Sequence, residues 1–376
     1  MSEPMQFQDP SPIFDSFDID LVLKVLSHTL FSMGTRSPAV VWSFAYYLLV
    51  TAFWSIKWYS RLYRNQGKLL FGPAPFDWGE QIVVVTGGSS GIGELLANTL
   101  AVRNVSVVVL DVNPIITENS NITYYKCDVS KWEEVETVSK KIIEEIGHPT
   151  VLVNNAGVVQ GKLILDLTPA DVTQLVSFSH ALCAHSDAAI PHRTFGANTL
   201  AHFWVLKAFL PEMIKQKAGH IVSVGSVMGL VGCAQLTDYC ASKAALVSLH
   251  ESLRYELDKR YNTPKIRTTL VVPGHILTPL FSRITLPQNA LFKFFFPSVA
   301  PVTIVKAVIA ALDEQHSRTI YLPFYAHFVG LLALMPSFIR DTAQKITYAD
   351  HAMQNFVKVS GRRSDEKEAL PGSKKE

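Results

Sequence analysis

Residues 81–101 read QIVVVTGGSSGIGELLANTLA, an order that predicts a strand, a glycine-rich turn and a helix. The apolar run Ile82–Val85 lacks polar alternation, which is typical of a central parallel strand buried on both faces. Gly87, Gly91 and Gly93 let the backbone approach a pyrophosphate, and the following helix presents its positive amino end to that group. The stretch therefore predicts a turn that binds a dinucleotide.

The strand after this helix adds a preference between cofactors. VSVVVL (Val105–Leu110) ends at Asp111, whose carboxylate could accept hydrogen bonds from ribose hydroxyls and would repel a 2′-phosphate. No arginine directly follows the glycine turn to reverse that preference. The pattern favours NAD over NADP, and the plainer interpretation of Asp111 is an aspartate in a surface turn.

Two more strands are predicted in the same half of the chain. YYKCDVS (124–130) closes a third strand and places Asp128 near the expected position of an adenine edge. An amphipathic helix is expected over Lys131–Ile146, and VLVNNAG (Val151–Gly157) forms a fourth strand with its turn. Asn155 either contributes to the site or only caps this strand.

The stretch 226–243, SVMGLVGCAQLTDYCASK, holds three side chains suited to carbonyl/alcohol redox chemistry, namely Ser226, Tyr239 and Lys243. Tyr239 and Lys243 are four residues apart and share one face of a helix. A phenol with a pKa of about 10 is a poor base at neutral pH, and a neighbouring cation lowers that pKa. We expect Lys243 to do so while Ser226 holds the substrate oxygen. A chance helical pair and a turn serine are the alternatives.

The uncharged run 37–56, SPAVVWSFAYYLLVTAFWSI, predicts a membrane helix. A helix of this length spans about 30 Å, the thickness of a bilayer's hydrocarbon core. Basic residues follow the run in the expected linker 57–77, so the positive-inside rule places the large carboxyl-terminal part in the cytoplasm. Within 1–36, residues Leu21–Phe31 are expected to form an interfacial helix. A buried core helix and a cleaved signal are the alternatives for 37–56.

The composition argues against several classes of function. Among 376 residues, 48% are hydrophobic and the formal net charge is +2, so global disorder and nucleic-acid binding are not favoured. The four cysteines are scattered and show no C-x-x-C spacing. We therefore expect neither a disulfide framework nor a metal site.

Five motifs occur in an order that resembles the short-chain dehydrogenase/reductase family. They are TGGSSGIG, NNAG at Asn154–Gly157, the serine thirteen residues before Tyr239, YCASK, and VVPGHILT ending at Thr278. The resemblance covers about residues 78–325. It implies an α/β fold with a single Rossmann domain, a doubly wound parallel sheet of about seven strands in the order 3-2-1-4-5-6-7. The phrases KAFLPEM, DYCASKAAL and YLPFYAHF resemble the membrane-bound retinol and 17β-hydroxysteroid dehydrogenase branch.

The resemblance also implies a set of site residues. Asn198, in ANTLAHF, would join Ser226, Tyr239 and Lys243 as the catalytic group and hold a water that links Lys243 to solvent. Thr278 would touch the nicotinamide carboxamide or the phosphates. The complete expected cofactor-binding set is Thr86, Gly87, Ser89, Ser90, Gly91, Ile92, Gly93, Asp111, Asp128, Val129, Asn155, Ala156, Gly157, Tyr239, Lys243, Pro273, Gly274, Ile276 and Thr278.

The segments beyond Thr278 are expected to meet substrate and membrane. Residues 280–301, LFSRITLPQNALFKFFFPSVAP, are rich in Leu and Phe and would form a pocket wall, a lip in lipid or plain core. Residues 326–359 are expected to form an apolar, membrane-proximal segment. The charged tail 360–376 is expected to be disordered.

Residues 175–193, LVSFSHALCAHSDAAIPHR, lengthen the distance between NNAG and Asn198 relative to the family. Without them the chain reads DLTPADVTQTFGANTLAHFWVLKAFLP, a continuous amphipathic helix. The residues at the two ends are compatible with splice-donor and splice-acceptor codons, so one hypothesis is a retained intron. The other is a loop that bulges from this helix near the usual dimer interface.

Together these patterns predict a membrane-associated, NAD(P)-dependent oxidoreductase that interconverts a lipophilic alcohol and its carbonyl, with Tyr239 moving the proton. The alcohol would be a retinoid, a steroid or a fatty alcohol. The expected partners are this substrate, a membrane or lipid-droplet surface and, in a homodimer, a second copy of the chain. The endoplasmic reticulum or a lipid droplet is the expected location, with the catalytic domain facing the cytoplasm. The alternative is a non-catalytic nucleotide-binding scaffold at a lipid surface.

Overall fold

Within the residues that the structure describes, seven strands form the sheet, and in chain order they are β1 (Ile82–Thr86), β2 (Ser106–Asp111), β3 (Ile122–Lys126), β4 (Val151–Asn154), β5 (Gly219–Val224), β6 (Ile266–Pro273) and β7 (Arg318–Leu322). Neighbouring strands are parallel, and their order across the sheet is β3-β2-β1-β4-β5-β6-β7. The predicted doubly wound Rossmann sheet is thereby confirmed. The computed structural model describes residues 24, 26–28, 38–65, 76–117, 119–168, 171, 194–282 and 284–354.

The helices of the described residues alternate with the strands and cover both faces of the sheet. In chain order they are α1 (Pro38–Arg64), α2 (Gly91–Val102), α3 (Trp132–Glu145), α4 (Ala201–Gln216), α5 (Thr237–Lys259), α6 (Ala290–Phe295), α7 (Pro301–Asp313), α8 (Ala326–Val329) and α9 (Ser337–Thr347).

The apolar core forms one layer on each face of the sheet. Strand β1 alternates between the two layers, because Val83 and Val85 pack with α2 and α7 whereas Val84 packs with α3, α4 and α5. All three valines are fully buried, as predicted for a central strand. Since both layers are apolar, polar groups come together at the ends of the strands. In parallel α/β sheets, ligands bind outside the carboxyl ends of the strands.

Helix α1 is longer than the predicted membrane run 37–56. It has 27 residues, so residues 57–64, which were expected to belong to a linker, continue the helix. No glycine or proline interrupts the sequence before Gly67. The Rossmann domain also holds this extension, because Arg61 pairs with Glu314 and Arg64 Nη1 donates to Thr319 Oγ1 at 2.9 Å. By length and composition the helix could cross a membrane.

Asn65, directly after α1, connects that helix to the start of β7. Its Nδ2 donates to Ser317 O at 3.1 Å, and its Oδ1 accepts from Ser317 N at 2.8 Å. On the apolar side, the ring of Phe53 lies 6.2 Å from that of Phe324 and 6.1 Å from that of Phe328, between centroids. The chain that follows β7 therefore begins beside α1.

The segment 175–193 lies outside the described residues, as do the predicted tail 360–376 and most of 1–36. The chain is described again from Thr194, whose hydroxyl donates to the Asp238 carboxylate. A π-helical turn at Gly196–Leu200 then leads directly into α4. The helix expected to pass through Asn198 is therefore present after Thr194, with one widened turn.

Candidate active site

The glycine turn between β1 and α2 is shaped by steric limits at three positions. Gly87 and Gly91 have φ angles of +65° and +60°, a left-handed conformation that favours glycine. A Cβ on Gly93 would lie 2.2 Å from Gly87 O, so α2 could not begin this close to β1 with a larger residue. A Cβ on Gly91 would meet nothing nearer than Thr278 Cγ2 at 3.8 Å. The turn thus leaves an open cradle at the amino end of α2, which suits a pyrophosphate.

Asn155 holds this turn against the end of β4. Its Nδ2 donates to Thr86 O at 3.1 Å and to Gly87 O at 3.0 Å. In return, Thr86 Oγ1 accepts from the backbone nitrogens of Asn155 and Ala156 at 3.0 and 3.1 Å. The sequence left open whether Asn155 contributes to the site or only caps β4. Its hydrogen bonds hold the glycine turn in position, so Asn155 does more than cap the strand.

Two aspartates predicted to contact the cofactor lie at the ends of β2 and β3. The Asp111 carboxylate accepts from Ser89 N at 3.1 Å and from Asn113 N at 3.0 Å. It therefore lies against the glycine turn, where a ribose would follow a bound pyrophosphate. Asp128 Oδ1 accepts from Ser130 N at 3.1 Å and from its hydroxyl at 2.6 Å. The Ser89 hydroxyl is buried and has no hydrogen-bond partner within the described residues, as expected of a group that binds a ligand.

The remaining turn residues serve the cradle in other ways. Ser90 is exposed at the N-cap of α2. Ile92 and Val129 pack their side chains into the apolar layers, so their contribution to a cofactor site is limited to the backbone. A Cβ on Gly157 would lie 3.6 Å from Lys243 Nζ, which shows that this glycine borders the tyrosine–lysine group as well.

Ser226, Tyr239 and Lys243 come together as predicted. Ser226 follows β5, and its Oγ accepts from Met228 N at 3.1 Å, while its hydroxyl is close enough to Tyr239 to lower the pKa of the phenol. Tyr239 and Lys243 lie one turn apart on α5, with Lys243 Nζ 5.9 Å from the centre of the phenol ring. Lys243 Nζ donates to Val224 O at 2.8 Å. Both α5 side chains are only 4% exposed, so their chemistry takes place away from bulk water.

Asn198 lies in the π-helical turn before α4 and bridges two parts of the site. Its Oδ1 accepts from Val158 N at 2.8 Å, and its Nδ2 donates to Val158 O and to Ser242 Oγ, both at 3.0 Å. Ser242 precedes Lys243, so Asn198 is tied to the helix that carries the lysine. Single π-turns occur frequently at functional sites, and this one turns the amide of Asn198 into the site.

Burial, rather than the lysine charge, dominates the acidity of Tyr239. We predicted from the sequence that Lys243 lowers the pKa of Tyr239. In the structure, burial raises the pKa of that phenol well above its ordinary value, and the hydrogen bond from Ser226 offsets the rise only in part. Burial also lowers the pKa of Lys243 to about 8. The prediction was wrong for this state of the site because burial outweighs the charge of the lysine.

The segment after β6 brings the last predicted residues to the glycine turn. Pro273 ends β6, and a Cβ on Gly274 would lie 2.2 Å from Tyr325 Oη, so the chain passes closely over the loop after β7. Ile276 is buried and forms a bridge with Val299. Thr278 then lies beside Gly91, where a bound phosphate would be within its reach.

Comparison with known proteins identifies this arrangement. The family model described as short chain dehydrogenase matches residues 81–289, more than half of the chain. The chain belongs to this family. The enzyme is therefore an NAD(P)-dependent short-chain dehydrogenase/reductase, as predicted from the five motifs.

Two relatives place the enzyme in the expected branch. Short-chain dehydrogenase/reductase family 16C member 6 of Bos taurus is 34% identical over 281 residues, which cover 72% of this chain and 80% of the relative. Epidermal retinol dehydrogenase 2 of Mus musculus is 33% identical over 264 residues, or 67% and 77% of the two chains. Among solved structures, a short-chain dehydrogenase of Burkholderia cenocepacia J2315 in complex with NADP matches with a TM-score of 0.54 and 20% identity. The match covers 72% of this chain and 99% of the Burkholderia chain, and it shows that the two share a fold.

An apolar cluster surrounds Tyr239 in the dehydrogenase, and two of its members, Phe281 and Ile284, belong to the segment 280–301, for which a pocket wall was one of the expectations. Its buried members are Leu236, Tyr239, Cys240 and Met353, and further apolar side chains packed against them are Val159, Met228, Cys233, Phe281 and Ile284. The Phe281 ring stands edge-on to the phenol, 6.1 Å between centroids. Met353 falls within the segment 326–359, which we expected beside the membrane. No local periodicity marks its role, since the contacts join residues far apart in sequence.

Proposed function

We propose that this dehydrogenase interconverts a lipophilic alcohol and its carbonyl at a membrane, with NAD as its preferred cofactor. One observation carries the proposal. Tyr239, near Ser226 and one helical turn from Lys243, is itself packed in a cluster of apolar side chains. A proton-transfer group inside an apolar chamber suits a substrate that is itself apolar around one oxygen.

The residues present fit a dinucleotide. The open cradle at Gly91, the Ser89 hydroxyl and Thr278 would hold its pyrophosphate, and Asp111 would accept from a ribose. When bound, the nicotinamide supplies or accepts the hydride. The chain's own contribution is to place and protonate the reacting oxygen.

Each catalytic side chain then has a distinct task. The Ser226 hydroxyl positions the substrate oxygen and orients the phenol of Tyr239, which gives or takes the proton. Lys243 replenishes that proton, because its lowered pKa of about 8 allows the amine to exchange protons near neutral pH. Asn198 keeps Lys243 aligned through Ser242 and offers its amide to a water on the route to solvent.

The chemistry of the chamber supports a lipophilic substrate. Apolar side chains form the cluster around Tyr239, so a charged substrate placed among them would lose much of its hydration. One relative bears the name of a retinol dehydrogenase. We propose a retinoid, steroid or fatty alcohol as the substrate class.

Helix α1 supports association with a membrane. The helix is apolar for the length of a bilayer core, and its basic carboxyl end, Arg61 and Arg64, is bonded to the Rossmann domain. By the positive-inside rule this domain faces the cytoplasm, at the endoplasmic reticulum or a lipid droplet. A chain lacking residues 1–60 should move to the soluble fraction. Retention in carbonate-washed membranes would show that α1 is not the main anchor.

Asp111 supports NAD over NADP. Its carboxylate already lies against the glycine turn, where the charge of a 2′-phosphate would be repelled. Asp111→Ser should weaken NAD binding and lower the Michaelis constant for NADP, and the ratio of the two kcat/KM values measures this. A wild-type enzyme with the lower Michaelis constant for NADP would contradict the assignment.

Tyr239→Phe tests the proposal as a whole. Removing the phenol oxygen should lower kcat by at least about 100-fold, a typical value for general acid–base catalysis. Nucleotide binding, measured by fluorescence titration, should remain. Tyr261→Phe, at an exposed tyrosine, is the matched control. An active Tyr239→Phe enzyme would exclude the mechanism. A wild-type protein that binds nucleotide but oxidises no retinoid, steroid or fatty alcohol would favour the scaffold alternative.

A further inference from the structure

A short carboxyl-terminal stretch closes the chamber over Tyr239. We call residues 349–353 the active-site strap. Its Met353 is fully buried in the cluster that contains Tyr239, and the phenol is only 4% exposed. The reacting oxygen of a substrate must come next to the phenol oxygen, and Met353 of the strap is packed in the same apolar cluster as that tyrosine. The strap therefore has to move, or Met353 has to swing aside, before a substrate can bind.

Few bonds hold the strap in place. Cys233 Sγ donates to Ala349 O at 3.1 Å, Ala234 N donates to Asp350 Oδ1 at 3.1 Å, and Thr285 N donates to Ala352 O at 3.2 Å. These partners lie on the loop before α5 and on the segment after β6, the two walls of the chamber. The strap thus spans the chamber between its walls.

The element that precedes the strap adds little restraint. Helix α9 buries none of its side chains, and Gln344 Nε2 bonds to Gly232 O at 2.6 Å. After α9 the chain turns through Tyr348 at a φ of +52°, which aims the strap back toward the site. Segments with few buried contacts open locally far more readily than the core does. In the strap, the buried side chain of Met353 provides the main apolar contact.

We propose that the active-site strap is the lid of the substrate chamber and that Met353 is its specificity-determining residue. The proposal rests on the proposed function, because it concerns access to the same tyrosine. Met353 fills the space that an apolar substrate occupies, and its unbranched, flexible side chain adapts to what replaces it. A long unbranched alcohol enters by displacing this one side chain, whereas a ring-bearing alcohol requires more of the strap to lift.

Thiol labelling reports on the lid without any substrate. Cys240 is buried in the same cluster, and burial raises the pKa of its thiol to about 11, so it should react slowly with N-ethylmaleimide in the closed state. Met353→Ala and Asp350→Ala should each open the strap more often and raise the rate at Cys240, measured by peptide mass spectrometry, by about tenfold. Met213→Ala, at a buried methionine in α4, and Asp341→Ala, on exposed α9, are the matched controls.

Kinetics test the specificity. Full-length enzyme and each variant would be assayed in detergent with NAD, an unbranched C10 alcohol and a ring-bearing C10 alcohol. Met353→Ala should raise the kcat/KM for the ring-bearing alcohol relative to the unbranched one by about tenfold, within the range for a changed apolar contact in a pocket. Met213→Ala should leave that ratio unchanged.

The two arms separate failure of the lid from failure of the function. Wild-type labelling rates at Cys240 in both strap variants would overturn the lid, whether or not the protein is an enzyme. An unchanged substrate ratio in an active Met353→Ala enzyme would overturn the specificity role. Faster labelling in the strap variants of a protein that oxidises no alcohol would support the lid while contradicting the proposed function.

Discussion

The glycine turn and the active-site strap are built in different ways. In the turn, Gly87 and Gly93 are fixed by backbone contacts that exclude a single methyl group, and Asn155 bonds to the same backbone. In the strap, Met353 is held among apolar side chains that come from distant parts of the chain. The glycine turn therefore depends on close backbone contacts that no larger residue allows. The strap depends on many apolar side-chain contacts, each of which can adapt.

This difference would allow one enzyme to combine a fixed cofactor with the apolar substrate that we propose. A turn that fits one pyrophosphate requires each backbone atom to stay in place. A chamber for a flexible apolar molecule needs only to be dry and of suitable volume, so its lining tolerates exchange. The contrast predicts that substitutions in the turn cost far more than substitutions of the same size over the chamber.

The largest effect is expected at Gly93. A Cβ there would lie 2.2 Å from Gly87 O and 2.6 Å from Asn155 Nδ2, and the first of these is backbone that has no room to move. Gly93→Ala should lower the free energy of unfolding by more than about 3 kcal/mol, beyond ordinary overpacking, and abolish nucleotide binding. Urea unfolding and fluorescence titration measure the two effects.

Gly232 provides the matched control on the chamber side. A Cβ on Gly232 would meet nothing within 4 Å. Gly232→Ala should therefore change neither stability nor nucleotide affinity measurably. Equal stability of the two alanine variants would break the contrast between turn and chamber.

Lys243 lies one helical turn from Tyr239, and because it is buried we expect it to make the stability of the protein depend on pH. Burial lowers the pKa of Lys243 from 10.5 to about 8. Between these values the unfolded chain binds a proton that the folded chain lacks, so the contribution of this group to stability rises with pH. Below about pH 8 the cost of burying the ammonium is fully present. Burial keeps the neighbouring His202 neutral throughout this range, since the pKa of that imidazole lies well below 6.5.

Lys243→Met removes this pH dependence. The free energy of unfolding of the wild type minus that of the variant should increase by about 1–3 kcal/mol between pH 7.5 and pH 10. Urea titrations of both proteins at the two pH values give the difference. A constant difference would show that Lys243 keeps an ordinary pKa, and that the site is wetter than the structure indicates.

Much of the fold could be predicted because its signals are local. The apolar run Ile82–Val85, the glycine spacing and the position of Asp111 each follow from a few adjacent residues. The sequence also located Tyr239 and Lys243, because helical periodicity alone places them on one face. The extent of α1 was less well predicted, since Arg61 and Arg64 continue the helix by bonding to strand and helix residues some 250 positions later.

The contribution of Met353 to the chamber could not be predicted, and the reason is physical. Met353 joins the cluster of Tyr239 because the chain returns to the site after α9 and the turn at Tyr348, and apolar residues at such positions carry no periodic signal. The acidity of Tyr239 was mispredicted for a related reason. Burial, a property of the whole fold, outweighs the neighbouring charge that the sequence spacing suggested.

The smallest effect on stability is expected when isoleucine is replaced by leucine, once beside the chamber and once in the core. Ile284 is partly buried beside the chamber, whereas Ile142 is fully buried in the layer between α3 and the sheet. Leucine conserves the volume but moves one methyl group, and volume-conserving swaps usually cost less than about 1.5 kcal/mol. We expect about 1 kcal/mol for Ile142→Leu and less than about 0.5 kcal/mol for Ile284→Leu, both by urea unfolding.

Nucleotide titration and alcohol kinetics complete this last comparison. Neither isoleucine touches the glycine turn, so both variants should bind nucleotide as the wild type does. Ile284→Leu should change the Michaelis constant for a C10 alcohol a fewfold, because it reshapes the chamber wall, and Ile142→Leu should leave that constant alone. If Ile284→Leu destabilised the protein as much as Ile142→Leu, the chamber would be packed as tightly as the core, and its lining would not be the adaptable surface that a lid over a flexible substrate requires.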